Sequence, residues 1–312
     1  MAKVVVVGSL SQDLVAKAPR FPQKGETLRG TEFGMFAGGK GNNQAMSAAR
    51  AGANVSMVGR VGADSFGEML IQTLNKNNVD SQFVFKDTEV GTGIAHITVN
   101  GDGENAIVII QQANLRLCAA DVETAKETIS GADVLLMQLE VPVETDIAAA
   151  KLARHSGTIV ALNPAPAPDG GLLPEELMSS VDIFIPNQTE AQQMTGILVA
   201  DIESAREAAT KLRLAGPDTV IITMGEQGAF VHNDQISELI PSFAVKAIDT
   251  TAAGDAFCGA LAAALARGEE LRAAVRWGCA AGALATTKMG AEPSLPSDDE
   301  IKHLVMSPLR QS

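Results

Sequence analysis

The run Asp249-Thr250-Thr251-Ala252-Ala253-Gly254-Asp255 holds the residue types needed to bring an anion and a proton acceptor together. It leads into an alanine- and leucine-rich stretch, residues 256–267, which reads as a helix closing at Gly268. Small side chains there let a phosphate approach the backbone. The first N–H groups of the helix, from Ala253, Gly254 and Asp255, can meet that phosphate, aided by the positive end of the helix dipole. Asp255 repels an anion, so it makes sense in such a site only if it must take a proton from an attacking hydroxyl. Read structurally, it is one more acidic residue in a helix's first turn. The run alone leaves both readings open.

A second run, Ala37-Gly38-Gly39-Lys40-Gly41-Asn42-Asn43-Gln44-Ala45, opens another helix. Its glycines allow positive φ and close ligand approach, and Lys40 and Asn43 bring hydrogen-bonding groups. Gly34 to Lys40 nearly matches G-x-x-x-x-G-K-[ST], but Gly41 stands where the Mg²⁺-holding hydroxyl belongs, which excludes a P-loop NTPase. Gly8-Ser9-Leu10-Ser11-Gln12-Asp13 lacks the spaced glycines of a dinucleotide fingerprint. Asn187-Gln188-Thr189-Glu190 follows an apolar strand-like segment, and residues beyond the carboxyl end of such a strand face the ligand crevice of an α/β sheet. Asn187 and Glu190 there suit Mg²⁺ held through waters, or simply a helix start with an acidic first turn. Thr223 to Gly228 is a nucleotide-cradling turn or an ordinary tight turn.

The elements that must position these residues alternate along the chain. Residues 4–7, 55–61, 134–139, 159–162, 183–186 and 220–223 read as strands, and residues 42–50, 65–74, 143–153, 189–195, 202–214 and 271–287 as helices. That beat implies a mainly parallel central sheet with helices on both faces, in one α/β domain over residues 1–312. Two segments break it. Residues 11–36 are rich in Pro, Gly and charge, and residues 93–99 and 105–110 alternate around Asn100-Gly101-Asp102-Gly103 as a hairpin. Together they predict a small β appendage, a lid formed by about residues 11–37 and 91–112.

Composition narrows the partners. The 312 residues carry a net charge of −13, no Tyr and one Trp, which disfavours nucleic acid and anionic membranes. A small anion can still bind through helix N-termini and a metal ion. Three cysteines without a C-x-x-C, and four scattered histidines, fit a reduced cytoplasmic protein better than a disulfide scaffold or a zinc site. The N-terminus reads neither as a signal peptide nor as a membrane span.

The two glycine-containing runs, with Asn187 to Glu190 between them, Gln138-Leu139-Glu140 and Asn163-Pro164-Ala165-Pro166, resemble the PfkB carbohydrate kinase family over nearly the whole chain, its ribokinase branch above all. The resemblance implies a ribokinase-like fold and transfer of the γ-phosphate of ATP to a primary hydroxyl of a pentose. It implies Asp255 as base and an anion hole lined by Ala252, Ala253 and Gly254. Ser11, Asp13, Gly39, Lys40, Asn43 and Glu140 would bind the sugar. Asn187, Thr223, Gly225, Gly228 and Cys279 would contact ATP, with Asn187 and Glu190 near Mg²⁺. Asp249, Thr251, Ala285, Lys288, Gly290 and Ser294 would hold an activating K⁺, several through backbone carbonyls. The lid would also pair two subunits into a homodimer. Two departures fall near the sugar: Ser11 stands where ribokinases usually have Asn, and Gln112 where they have Gly. They keep D-ribose, deoxyribose, another small sugar or a nucleoside as acceptors to be told apart, beside a catalytically silent sugar-binding regulator.

Overall fold

In the computed structural model, which describes residues 2–168 and 170–307, thirteen strands form two sheets. In chain order they are β1 (Lys3–Val7), β2 (Ser11–Lys17), β3 (Glu32–Gly38), β4 (Asn54–Gly62), β5 (Val79–Asp87), β6 (Gly93–Val99), β7 (Asn105–Ile110), β8 (Val134–Gln138), β9 (Ile159–Asn163), β10 (Ile183–Phe184), β11 (Thr219–Thr223), β12 (Gly228–His232) and β13 (Ser237–Pro241).

The larger sheet runs β13-β12-β11-β10-β9-β8-β1-β4-β5. From β11 to β5 every pairing is parallel, and β12 and β13 are added antiparallel. Its inner strands are mostly apolar because both faces are covered, with polar residues at their carboxyl ends such as Gln138 and Asn163. Val4 and Val6 join a core with the helices Lys40–Arg50, Ala253–Ala266 and Leu271–Ala285, whereas Val5 and Val7 join the opposite core with Val143–His155 and Ile202–Arg213. The chain steps outward from β1 to β4 and β5 on one side, and from β8 to β11 on the other. The strand order therefore reverses between β1 and β8, and the crevice for a ligand opens at the carboxyl ends of those strands.

One close approach sets the site. A Cβ on Gly259 would lie 2.5 Å from Ser47 Cβ and 2.6 Å from the main-chain oxygen of Gln44. Glycine there lets the helix Ala253–Ala266 rest against the helix Lys40–Arg50, and Ser47 Oγ donates to the oxygen of Ala256 at 3.0 Å across the contact.

The smaller sheet runs β3-β2-β6-β7. Its register divides the side chains into two faces. Asp13, Val15, Phe36, Ala95, Ile97, Ile107 and Ile109 share one face, and Leu14, Phe33, Met35, His96 and Val108 the other. Every residue of β7 is exposed, and Phe33 and Val108 keep 66% and 60% of their surface.

Several elements differ from the sequence reading. β2 and β3 lie in the segment read as part of a β appendage, though the bounds of β2 were not drawn, because the Pro and Gly residues that follow it dominate the local composition. β5 is an edge strand whose apolar run is only Phe83-Val84-Phe85, flanked by Asp80-Ser81-Gln82 and Lys86-Asp87. β12 and β13 and the helix Asp298–Met306 were not anticipated. The helix that carries the alanine-rich stretch begins at Ala253, so Asp255 lies inside its first turn, where the sequence reading put it. No helix among the described residues is long and apolar enough to cross a membrane.

Asp146, in the helix Val143–His155, is fully buried, and neither carboxylate oxygen has a hydrogen-bond partner. Burial drives its pKa well above the ordinary carboxylate range. The folded chain therefore holds a proton that the unfolded chain releases above about pH 4, and stability falls as pH rises toward the folded-state value. Asp146→Val, similar in volume and without the orphan oxygens, is expected to raise the thermal unfolding midpoint. The gain should be larger at pH 8 than at pH 5 in calorimetry at the two values.

Candidate active site

The residues that line the crevice come from the carboxyl ends of five strands. Ser9 follows β1, Glu140 follows β8, Asn163 ends β9, Asn187 follows β10 and Thr223 ends β11. The helix Ala253–Ala266 aims its N-terminus at the same place. Its N-cap, Ala252, has φ 58°, a left-handed conformation that is costly for a residue with a Cβ. The Ala253 N–H closes a turn onto the oxygen of Thr250 at 3.2 Å, so the N–H groups of Gly254 and Asp255 are the ones at the helix mouth. A Cβ on Gly254 would meet no protein atom within 4 Å. Packing does not require glycine there, and the open space belongs to the crevice.

Three cavities meet at this helix end. One of about 220 Å³ lies under the small sheet, lined by Ser11, Asp13, Gly39, Lys40, Asn43, Glu140, Ile107 and Ile109 among others. A second, of about 230 Å³, is lined by Asn187, Glu190, Thr223 and the 252–255 turn. A third, of about 910 Å³, runs past Gly225, Gly228, Phe243, Val245, Phe257 and Cys279. Lys40, Ala252 and Asp255 border the first and second, and Thr223, Ala253 and Gly254 border the second and third. A small polar chamber thus opens past one carboxylate into an elongated, mostly apolar cleft, whose size suits a larger ligand.

Asp255 is buried, and both its oxygens are held. Oδ2 accepts from Asn43 Nδ2 at 3.0 Å, and Oδ1 accepts from Gln44 Nε2 at 3.0 Å. Glu140 accepts from the Lys40 N–H at 3.0 Å and from the hydroxyl of Ser9, which pins the Gly39–Lys40 turn to the crevice wall. Gly39 has φ 91°, and a Cβ there would lie 2.8 Å from the nitrogen of Ser11, so this turn requires glycine. Ser11 Oγ stands 3.5 Å from Asp13 Oδ1. Burial, then the charge of Glu140, raises the Asp13 carboxyl to about 7, while the Ser11 hydroxyl opposes that rise and Asp255 adds to it. Burial alone would lower the Lys40 ammonium, yet Asp255, Glu140 and Glu190 surround it and its pKa ends raised. Lys40 therefore stays cationic among carboxylates.

Asn187 and Glu190 form a capping box on the helix Gln188–Thr195. Asn187 Oδ1 accepts from the Glu190 N–H and Glu190 Oε2 from the Asn187 N–H, both at 2.8 Å. Burial raises the Glu190 pKa, with the Asn187 N–H and Lys40 opposing. The remaining Glu190 oxygen and the Asn187 amide nitrogen are available to the second cavity. Gly228 has φ 115°, and its Cβ would fall 2.1 Å from the oxygen of Ile240, so the β12–β13 hairpin demands it whatever it also contacts. Burial pushes the Cys279 thiol up to about 12, and Cys258 is raised well above its ordinary value by burial and by Asp255. Both thiols stay protonated and unreactive.

Beside the helix mouth, Asp249 Oδ1 accepts from the N–H and hydroxyl of Thr251 at 2.9 and 2.6 Å, and Oδ2 from the Gly290 N–H at 2.8 Å. The N–H groups of Ile248 and Asp249 donate to the oxygen of Thr286. Asp249, Thr251 and Gly290 are thus joined, with Ala285 and Ser294 buried in the adjoining segment. The Lys288 ammonium points away to Glu300 at 3.0 Å, which leaves that residue only its backbone for the group. No cluster of three His, Cys, Asp or Glu suited to a metal occurs among the described residues. Bare multidentate carboxylate binding is therefore not what this site offers. Carbonyl oxygens suit a monovalent ion, and Glu190 with Asn187 suits a divalent ion that brings waters and phosphate oxygens of its own.

Sequence reasoning missed Ser9, Gln44 and Asn114 as site-building residues. Asn114 exchanges hydrogen bonds with the N–H and oxygen of Leu10 at 2.9 and 2.8 Å, and so ties the segment entering β2 to the one leaving β7. Gln44 was in view inside the glycine-rich run, but a glutamine carries no chemical signature until its partners are known.

The profile of the pfkB family carbohydrate kinases matches residues 1–298. The chain is 41% identical over 297 residues to a ribokinase of Haemophilus influenzae, covering 95% of this chain and 96% of that one. It is 35% identical over 300 residues to a deoxyribokinase of Salmonella typhi, covering 95% and 96%. The structure of Arabidopsis thaliana ribokinase complexed with ribose and ATP superposes with a TM-score of 0.90 at 31% identity, over 99% of this chain and all of that one. The profile match, the full-length likeness and a carboxylate at a helix mouth between two cavities agree on one conclusion: this chain belongs to the pfkB family of carbohydrate kinases.

Proposed function

We propose that the chain transfers the γ-phosphoryl group of ATP to the primary hydroxyl of a pentose, D-ribose. The observation that carries this reading is the place of Asp255, a carboxylate held by two amides where the polar chamber meets the cleft. The sugar lies in the 220 Å³ chamber. Asp13 accepts from adjacent hydroxyls with its two oxygens and so selects which hydroxyl faces Asp255, while Glu140, Ser11, Lys40 and the Gly39 turn complete the grip. Asn43 Oδ1, buried without a partner, adds an acceptor.

Asp255 takes the proton as the sugar oxygen attacks in line. The N–H groups of Gly254 and Asp255, in the turn shared with Ala252 and Ala253, meet the charge on the phosphoryl oxygens, and Lys40 adds its own. Transfer of this kind passes through a loose transition state, so positioning and electrostatics supply most of the rate. Asn187, Thr223, Gly225, Gly228 and Cys279 lie along the path of the nucleotide. Asn187 and Glu190 are the residues that would hold Mg²⁺, which neutralises phosphate charge when bound. The group around Asp249, Thr251, Ala285, Lys288, Gly290 and Ser294 would hold K⁺ and stiffen the turn that leads into the helix.

The small sheet acts as a lid, its Ile107 and Ile109 face closing on the sugar and limiting loss of phosphate to water. Its other face, with Phe33, Met35 and Val108, is covered by a second copy of the chain. The three free thiols suit a cytoplasmic setting. A second reading, deoxyribose as acceptor, is favoured by Ser11, whose short hydroxyl reaches toward Asp13 and offers one donor.

A coupled ADP-release assay over pentoses, deoxypentoses, hexoses and nucleosides, with and without K⁺, tests the reading. Ribose should give the highest kcat/KM, with K⁺ raising turnover; a preference for deoxyribose moves the assignment to the second reading, and binding without turnover on every acceptor defeats both. Asp255→Asn should lower kcat by at least ~10² while sugar affinity stays within a few-fold. Light scattering at micromolar protein should give the mass of two chains, and a monomeric mass would remove the proposed pairing of lids.

A further inference from the structure

Beneath Asp255 lies a chain of side-chain amides whose direction of donation is set from one end. Asn163 Nδ2 donates to the main-chain oxygen of Ile185 at 2.8 Å, an acceptor that cannot turn round, so Asn163 Oδ1 faces Gln44. Gln44 Nε2 donates to that oxygen at 3.1 Å and to Asp255 Oδ1 at 3.0 Å, which uses both of its hydrogens. Gln44 Oε1 is left to accept from Gln138 Nε2 at 2.7 Å. Turning over any one amide would set oxygen against oxygen at a link. Gln44 and Gln138 have no exposed surface, and Gln44 borders none of the three cavities. Gln138 Oε1 has no partner at all, so Gln138 is half unsatisfied and what it supplies is its one donation to Gln44.

We propose that Gln44 is a positioning residue for the base, its amide locked by Asn163 and Gln138 so that it holds one oxygen of Asp255 while Asn43 holds the other. With both oxygens anchored, the carboxylate plane cannot rotate about Cβ–Cγ, and its unused lone pairs stay directed at the attacking hydroxyl. An amide suits this place because its N–H donates to the carboxylate but neither accepts the sugar's proton nor releases one. A carboxyl in the same position would compete for that proton. The inference rests on the phosphoryl-transfer reading above, and it adds the reason that an uncharged, ligand-remote side chain belongs to the machinery.

The test compares kcat, both KM values and the pH dependence of kcat in the wild type, Gln44→Leu and Gln44→Glu. Gln44→Leu should lower kcat by about 10- to 100-fold with KM for sugar and ATP within about 3-fold, since the base is present but no longer aimed. In Gln44→Glu a second carboxyl stands against Asp255 and must share its proton. The acidic limb of the kcat profile should then move up by about one pH unit or more. Should these variants fail to fold, Gln138→Leu, which also deletes an oxygen already without a partner, must lower kcat in the same sense. Wild-type kcat and an unmoved acidic limb, however far the melting temperatures fall, would overturn the proposal and leave Gln44 a purely structural residue. Absence of sugar-dependent turnover in the wild type would instead sink the phosphoryl-transfer reading. In that case the ¹³C carboxyl titration of Asp255, assigned by its loss in Asp255→Asn, still reads the coupling: a shift in Gln44→Glu supports the contact, and an unchanged titration overturns it.

Discussion

One contact governs the architecture of the site: a buried carboxylate at a helix N-terminus, held from below by the amides of a neighbouring helix. A charge removed from water destabilises the fold by several kcal/mol unless hydrogen bonds replace its hydration. Asp255 obtains two, from Asn43 and Gln44, only because the helices Lys40–Arg50 and Ala253–Ala266 touch closely at Gly259. That contact in turn depends on the reversal of strand order between β1 and β8, which gathers residues from segments more than two hundred positions apart.

Electrostatics around that carboxylate are arranged against the bulk of the molecule. A chain with a net charge of −13 does not attract phosphates by its long-range field. Attraction is local, from the N–H groups at the helix mouth and from Lys40, which Asp255, Glu140 and Glu190 keep protonated in a buried setting. Burial, with the charges of Glu140 and Asp255 beside it, raises Asp13 to about 7. Polar groups on one side and the apolar lining of the cleft on the other separate the places where a hydrophilic acceptor and a nucleotide base would sit.

The small sheet is the least self-sufficient part of the molecule. Both faces carry apolar side chains, and β7 and β3 are its free edges. Neither face is packed against the main core as the faces of the large sheet are. Asn114, clamped to Leu10, and Thr92, bonded through its N–H and hydroxyl to Asp64, anchor the segments by which it joins the body.

The alternation of apolar strands with amphipathic helices was legible along the chain because period and burial leave their mark residue by residue, and the three glycine- or acid-bearing runs announced where a ligand would meet the backbone. The β appendage was legible as a segment but the bounds of β2 were not, and β5, β12 and β13 were not legible at all, since edge and appendage strands carry polar and turn-forming residues whose pairing is set by distant segments. Asp255 was readable both as a candidate base and as a residue of the first turn of its helix, which begins at Ala253. The amides that aim it could not be read at all, because glutamine and asparagine acquire a role only from the donors and acceptors placed around them. By itself the sequence determined the fold class and the residue types of the crevice, since those follow from local pattern. Which amide holds which oxygen of Asp255 was decided only by the tertiary structure, because hydrogen-bond direction in a buried network depends on contacts between segments far apart in the chain.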